Sequence, residues 1–336
     1  MQLQQRINAF IELGKFICSD AADLEEVILT ASTHNSWFTE DNIRFALQGW
    51  SDALTEANLE KWLAVYEVPE KQPKVVAIVM AGNIPLVGFH DFLSVLISGN
   101  FVLAKLSSND SILLPFLSEK LIEIEPEFKG GIAFTEGRLS DFDAVIATGS
   151  NNTARYFDYY FGKYPHIIRR NRNSVAVLTG NETPEALEAL ANDIFRYFGL
   201  GCRNVSKIFI PKEFDFEPFF NAMYSWREMI NNNKYINNYD YNKAVYLMSN
   251  ISLLDNEFML LKEDKAFSSP ISVVFYEFYD SLDTLTKYLS EYKEHVQAII
   301  SNEELPGAIP FGQAQTPLLW DYADGVDTLK FLLNLG

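Results

Sequence analysis

The apolar positions of this chain change period part-way along it. Over residues 1–66 they recur every three or four residues, as Ile7, Phe10, Ile11 and Leu13 and again as Ile43, Ala46, Leu47 and Trp50. That is the spacing of helices that bury one stripe. From Lys74 onward short, almost wholly apolar runs take over at residues 75–80, 101–104, 144–147 and 175–178. Runs without polar alternation predict strands covered on both faces, as in a parallel sheet. The segments between them, 86–98, 111–124 and 153–161, are long enough for crossover helices. The expected class is therefore α/β with a doubly wound domain. A helix over 184–198 is expected to lead into a strand at 207–211, and residues 271–276 and 297–300 read as later strands.

Open parallel sheets bind ligands outside the carboxyl ends of their strands. Here those ends are the turns after Met80, Ala104 and Ala147, which carry Ala-Gly-Asn-Ile-Pro at 81–85, Lys-Leu-Ser-Ser at 105–108 and Thr-Gly-Ser at 148–150. The dinucleotide fingerprint Gly-x-Gly-x-x-Gly is absent, so a nucleotide would have to bind without that pyrophosphate loop.

The most informative residue is Cys202, which closes Gly-Leu-Gly-Cys at 199–202 between the expected helix and the strand that follows. Two glycines let the backbone turn tightly there and present a sulfur at a cleft, so Cys202 is the candidate nucleophile. The alternative is a small buried hydrophobe, the usual fate of cysteine. Cys18 sits on a helical stripe and reads as packing.

Composition narrows the classes. The chain has 336 residues, 48% apolar and 14% aromatic, enough for a large core and about two domains. Its boundaries are expected as an amino-terminal and dinucleotide-binding part over 1–173, a catalytic part over 174–318 and a tail over 319–336. With two cysteines there is no disulfide framework, and the four histidines lack metal-site spacings, so no metal is expected. A formal charge of -18 argues against a nucleic-acid partner. No run approaches ~18 consecutive apolar residues and no leader pattern opens the chain, so a cytoplasmic protein without an integral membrane segment is expected.

Taken in order, Asn83-Ile-Pro after the first strand, Gly-Asn-Phe-Val-Leu-Ala-Lys at 99–105, Thr-Gly-Ser at 148–150 and Gly-Leu-Gly-Cys before the strand at 207–211 resemble the motifs of the aldehyde dehydrogenase superfamily. The short length, the helical start and Trp-Asp-Tyr-Ala-Asp-Gly at 320–325 are similar to the LuxC-type fatty acyl-CoA reductases within it. This resemblance implies an aldehyde-dehydrogenase-like fold and an acyl-CoA substrate. It also implies a thioester on Cys202, and an oxyanion held by the Asn83 side chain and the Cys202 backbone N–H. It places Lys105 at the adenosine ribose, in the loop with Ser107 and Ser108, and Gly149 and Ser150 at the pyrophosphate. NAD-preferring relatives carry an acidic residue where this chain has Ser108, so NADPH is the expected cofactor. A homodimer and an acyl-protein synthetase partner are compatible with the same resemblance.

The chain also departs from the superfamily. Where aldehyde-oxidising relatives have Glu-Leu-Gly-Gly-Lys, residues 169–173 read Arg-Arg-Asn-Arg-Asn, so the water-activating base is missing and release by water should be slow. The three arginines read either as phosphate contacts or as a solvated basic loop. Around 267–270, Phe-Ser-Ser-Pro keeps a proline of the family's second ribose segment but no glutamate. The aromatic residues 214–246 read as core or as an acyl channel. Three readings stay open: an acyl-CoA reductase, a CoA-acylating aldehyde dehydrogenase or acyl-phosphate reductase, and a non-catalytic acyl-binding or partner-tethering homologue.

Overall fold

Four amphipathic helices open the chain: α1 (Leu3–Ile17), α2 (Ala22–His34), α3 (Glu40–Ala53) and α4 (Glu56–Leu63). Thr39 and Thr55 start the last two by accepting the backbone N–H of Asn42 and Asn58. Phe10, Leu13, Ile43 and Trp62 on their inner stripes are almost fully buried, each side chain contributing about 1.5–3 kcal/mol relative to exposure. The computed structural model describes residues 1–336, the side chain of residue 151 excepted.

The strands that follow form two sheets. The first contains β1 (Val75–Val79), β2 (Phe101–Lys105), β3 (Ile132–Phe134), β4 (Ala144–Thr148) and β5 (His166–Arg169), all parallel, in the order β3-β2-β1-β4-β5. Its crossovers include α5 (Phe89–Ile97), α6 (Leu113–Ile124) and α7 (Asn151–Phe161). α5 is buried at every position but His90, because it lies under the sheet and against the amino-terminal helices.

The second sheet contains β6 (Asn173–Val177), β7 (Val205–Pro211), β8 (Leu254–Asp255), β9 (Leu260–Glu263), β10 (Val273–Tyr279), β11 (Val296–Ile300) and β12 (Ala308–Ile309), in the order β12-β11-β6-β7-β10-β9-β8. All its pairings are parallel except β8 with β9. Its helices are α8 (Pro184–Phe195), α9 (Phe216–Met223), α10 (Asn233–Met248) and α11 (Leu282–Glu291). The α/β class and the parallel sheets expected from the apolar runs are present.

The chain divides into one unit of Met1–Asn171 with Leu318–Gly336 and a second of Arg172–Pro317. The first is thus built from both ends of the sequence. Its C-terminal helix, Thr328–Leu333, buries Leu329 and Leu332 in the same core as α1 and α5. Lys71 Nζ donates to the carbonyls of Leu332, Leu333 and Leu335, and Asn100 Nδ2 donates to Leu332 as well. The apolar tail therefore docks on its own core.

Two expectations are revised. The helix expected over 184–198 stops at Phe195, and Tyr197 and Phe198 take left-handed backbone, φ 56° and 58°. Arg169 is neither a solvated loop residue nor a phosphate contact. It ends β5 pointing inward, buried, with Nη1 and Nη2 on both oxygens of Asp91 at 2.5 and 2.9 Å and Nη2 also on Thr328 Oγ1 at 2.9 Å. Arg170 pairs with Asp158 at the surface, and Arg172 donates to the Lys293 carbonyl. Of the aromatic stretch, Phe219, Tyr235 and Tyr239 are core residues.

Candidate active site

In the first unit the strand order reverses between β1 and β4, and open α/β sheets bind their ligands at the carboxyl ends beside such a reversal. The structure brings Asn83, Lys105, Ser107, Ser108, Gly149 and Ser150 to this end of one sheet. Asn83 lies half-buried in the loop after β1. That loop turns sharply at Leu86, φ +57°, whose N–H donates to Asp110 Oδ2 at 2.8 Å. Asp110 is buried, and burial pushes its carboxyl up to about 6 despite this hydrogen bond. It ties the loop of Asn83 to the loop of Ser107 and Ser108, a role the sequence reading did not assign.

Lys105 ends β2 with Nζ on the Gly137 carbonyl at 2.8 Å. Ser107 Oγ accepts the Asn109 N–H at 3.3 Å, and the Ser108 carbonyl meets His34 Nε2 at 2.7 Å. Gly149 follows β4, and a Cβ there would lie 2.9 Å from the Phe157 ring, so a larger residue would have to push that ring aside for the turn to close on α7. Ser150 caps α7 by accepting the Thr153 N–H. The unspent N–H groups of that first turn and the helix dipole favour an anion. A glycine turn, a helix start and an ammonium at the ends of the two strands that flank β1 fit a nucleotide cofactor.

A cavity of about 1070 Å³ opens elsewhere in this unit, among Arg6, Glu70, Lys71 and Phe101. It lies at the amino ends of β1 and β2, the wrong end for the chemistry of such sheets.

Cys202 belongs to the second unit, in the turn between α8 and β7, and its side chain is half-buried. Gly199 joins Tyr197 and Phe198 in the left-handed region, so three successive residues depart from helical backbone. Each non-glycine residue there costs roughly 1–2 kcal/mol. Burial of both rings, with Phe198 5.9 Å from Tyr235, offsets the strain.

Asn204 shapes the turn. Its Oδ1 accepts the Gly201 N–H at 2.8 Å, and its Nδ2 lies within 2.8–3.4 Å of the carbonyls of Asp193, Ile194 and Arg196, capping the end of α8. Ser174 Oγ of β6 donates to the Cys202 carbonyl at 3.1 Å. These bonds fix the backbone on both sides of the sulfur.

Asp193 completes the support. It is fully buried, and its carboxylate accepts the N–H of Gly312 at 2.6 Å and of Ala314 at 3.0 Å, holding segment 310–317 against α8. A Cβ on Gly312, φ +83°, would meet Ala189 at 3.0 Å, so this approach also needs glycine. Burial pushes Asp193 up to about 6. The sequence held a signal for it: a carboxylate on the apolar stripe of Leu187, Leu190 and Ile194.

The next residues of β7 hold segment 265–267, with Ser206 Oγ on the Phe267 carbonyl and Lys207 Nζ on the Lys265 carbonyl. Among the described residues no group of three or more His, Cys, Asp or Glu side chains could hold a metal ion.

The sequence matches the LuxC acyl-CoA reductase family over residues 40–305. The chain belongs to the LuxC acyl-CoA reductase family. It is thereby an oxidoreductase of the acyl or aldehyde class. No curated protein matches the sequence.

Solved structures show where the LuxC fold sits. Indole-3-acetaldehyde dehydrogenase AldA of P. syringae, in complex with NAD+ and IAA, is 15% identical. The match covers 90% of this chain and 77% of that one at a TM-score of 0.69. The aldehyde dehydrogenase KauB of Pseudomonas aeruginosa is 14% identical, with 90% and 77% covered and a TM-score of 0.67. Aldehyde dehydrogenase 21 of Physcomitrella patens is 12% identical, with 99% and 84% covered and a TM-score of 0.67. At these identities the likeness establishes an aldehyde-dehydrogenase fold. No helix among the described residues is long and apolar enough to cross a membrane.

Proposed function

We propose that this protein reduces a long-chain acyl-CoA thioester to the aldehyde with NADPH, and that Cys202 carries the acyl group between the two halves of the reaction. The observation that carries the reading is a half-buried thiol, in a chain of the LuxC family, on a strained turn pinned by Asn204 and Ser174. Cys202 Sγ, as the thiolate, bonds to the thioester carbon, and the bond to the coenzyme A sulfur breaks as that thiolate leaves and takes a proton. Asn83 Nδ2 and the Cys202 backbone N–H are the proposed donors to the oxyanion. NADPH, when bound, supplies the hydride. The reduced carbon then expels Cys202, and the oxyanion collapses to the aldehyde carbonyl.

One feature favours reduction over hydrolysis. The position of the water-activating glutamate in aldehyde-oxidising relatives falls on residues 169–173, where Arg169 is locked in a buried ion pair and has no base to offer. A thioester on Cys202 would then wait for hydride rather than react with water.

NADPH over NADH rests on the loop after β2. Lys105 brings a cation, and residues 105–108 hold no carboxylate to repel a 2′-phosphate. AldA and its relatives in complex with NAD+ bear out a nicotinamide only for themselves. Ser108→Glu is expected to weaken NADPH relative to NADH about tenfold, or ~1.4 kcal/mol. The ratio of kcat/KM values for the two cofactors measures it.

The test of the reading is intact-mass spectrometry after mixing the protein with decanoyl-CoA in the absence of nicotinamide. An acyl adduct on Cys202 that disappears when NADPH is added, with aldehyde formed, supports it. Tight decanoyl-CoA binding without an adduct would instead identify an acyl-binding homologue. Asn83→Ala is expected to lower kcat by about 100-fold or more with KM for the thioester little changed. Unchanged kcat would remove Asn83 from the oxyanion role.

A further inference from the structure

We infer that Asp193 is a positioning residue for the thioester chemistry proposed above, fixing through one helix end both the turn that carries Cys202 and the segment Gly312 to Gln315. The inference rests on that reading of Cys202 and deepens it.

Asp193 is used at two sites of its own structure. Its backbone carbonyl accepts Asn204 Nδ2 at 3.0 Å and Gln315 Nε2 at 3.3 Å, while its carboxylate accepts the N–H groups of Gly312 and Ala314. Asn204 in turn holds the Gly201 N–H, one residue from the sulfur-bearing Cα. A displacement of Asp193 would therefore move the nucleophile turn and segment 312–315 together.

The energetics argue against a role in stability alone. Burial raises the Asp193 carboxyl to about 6, with the two N–H groups opposing that rise. A raised carboxyl contributes stability that is fully present below the ordinary aspartate value near 4 and is lost as pH rises through 6. At neutral pH the ionised group thus costs fold stability, and what it supplies there is geometry. Arg196 of the turn donates to Asn192 Oδ1 and lies 4.9 Å from the Trp226 ring, and Glu185 and Glu188 of α8 are exposed. Arg203 is the turn's remaining charge, and segment 310–317 carries none.

The test measures adduct formation on Cys202 from decanoyl-CoA between pH 5 and 8, in wild type and Asp193→Asn. Iodoacetamide labelling of Cys202 and of exposed Cys18 runs in parallel, resolved by peptide mass. Misplacing a reacting group by about 1 Å costs on the order of 100-fold, so the variant is expected to form the adduct at least tenfold more slowly at pH 7.5. Its Cys18 labelling and its KM for NADPH should be unchanged. In wild type the rate is expected to fall more steeply below pH 6 than in the variant, because Asp193 takes a proton there and its replacement does not. A merely structural Asp193 would lower thermal stability and leave both profiles parallel, which overturns the inference.

Should Asp193→Asn not fold, Asn204→Asp gives the same readout. It keeps an acceptor for Gly201 N–H and loses the donors to the α8 carbonyls, so it too should slow Cys202, and wild-type rates would overturn the inference. If wild type forms no acyl adduct, the thioester reading fails. The positioning role then stands or falls on whether iodoacetamide labelling of Cys202 differs between the two proteins.

Discussion

Replacing Cys202 by alanine is expected to abolish thioester reduction, lowering turnover by about 10⁴-fold or more, while NADPH binding stays within about twofold of wild type. Removing a nucleophile leaves only what binding and oxyanion donors contribute, so the loss is large and falls on kcat. Cofactor binding should be spared because the substitution leaves the proposed cofactor residues Lys105, Ser107, Ser108, Gly149 and Ser150 unchanged. Serine should not rescue, since an unassisted hydroxyl is a far weaker nucleophile than a thiolate. Single-turnover reduction of decanoyl-CoA, with NADPH titrated by its fluorescence, separates the two effects. An alanine variant that still reduces the thioester at more than a few per cent of wild-type rate would remove Cys202 from the chemistry.

The second large effect is on stability. Asp91→Ala leaves Arg169 charged and buried without its carboxylate, at a cost of about 3–5 kcal/mol. For a domain of this size that lowers the unfolding midpoint by roughly 10 °C. The double variant Asp91→Leu with Arg169→Met should recover most of the loss, because a buried pair is worth little against apolar residues of similar volume. Differential scanning calorimetry of the three proteins checks the order. Equal midpoints for Asp91→Ala and the double variant would show that the penalty lies in packing rather than in an orphaned charge.

The sheets were legible because strands covered on both faces cannot alternate: residues 75–80, 101–104, 144–147 and 175–178 announced themselves as apolar runs. That Lys105, Ser107, Gly149 and Ser150 fall at the carboxyl ends of β2 and β4 was legible for a related reason, since the apolar runs mark where those strands stop. What lay hidden depends on tertiary accounting. Nothing local marks Tyr197 and Phe198 as left-handed, because aromatic residues disfavour that backbone and only their burial and the Asn204 cap offset it. Arg169 looked basic and exposed in a run of arginines, and its true partner, Asp91, is far away in sequence. Asp193 carried a weak signal, a carboxylate on an apolar stripe, whereas Asp110, between Asn109 and Ser111, carried none. Their acceptor roles required knowing which loops return to them.

The docking of the C-terminal helix on the first unit sets an order on synthesis. α1, α5 and the first sheet emerge from the ribosome early, yet the groove that takes Leu329 and Leu332, the inner face of Lys71 and the bond of Arg169 to Thr328 wait until the second unit has been translated. At about 5–20 residues per second the nascent first unit spends roughly 8–30 s with an apolar face uncovered. Chain made last therefore completes the unit begun first, and ribosomes stalled between residues 200 and 317 should display a protease-sensitive, chaperone-binding amino-terminal half.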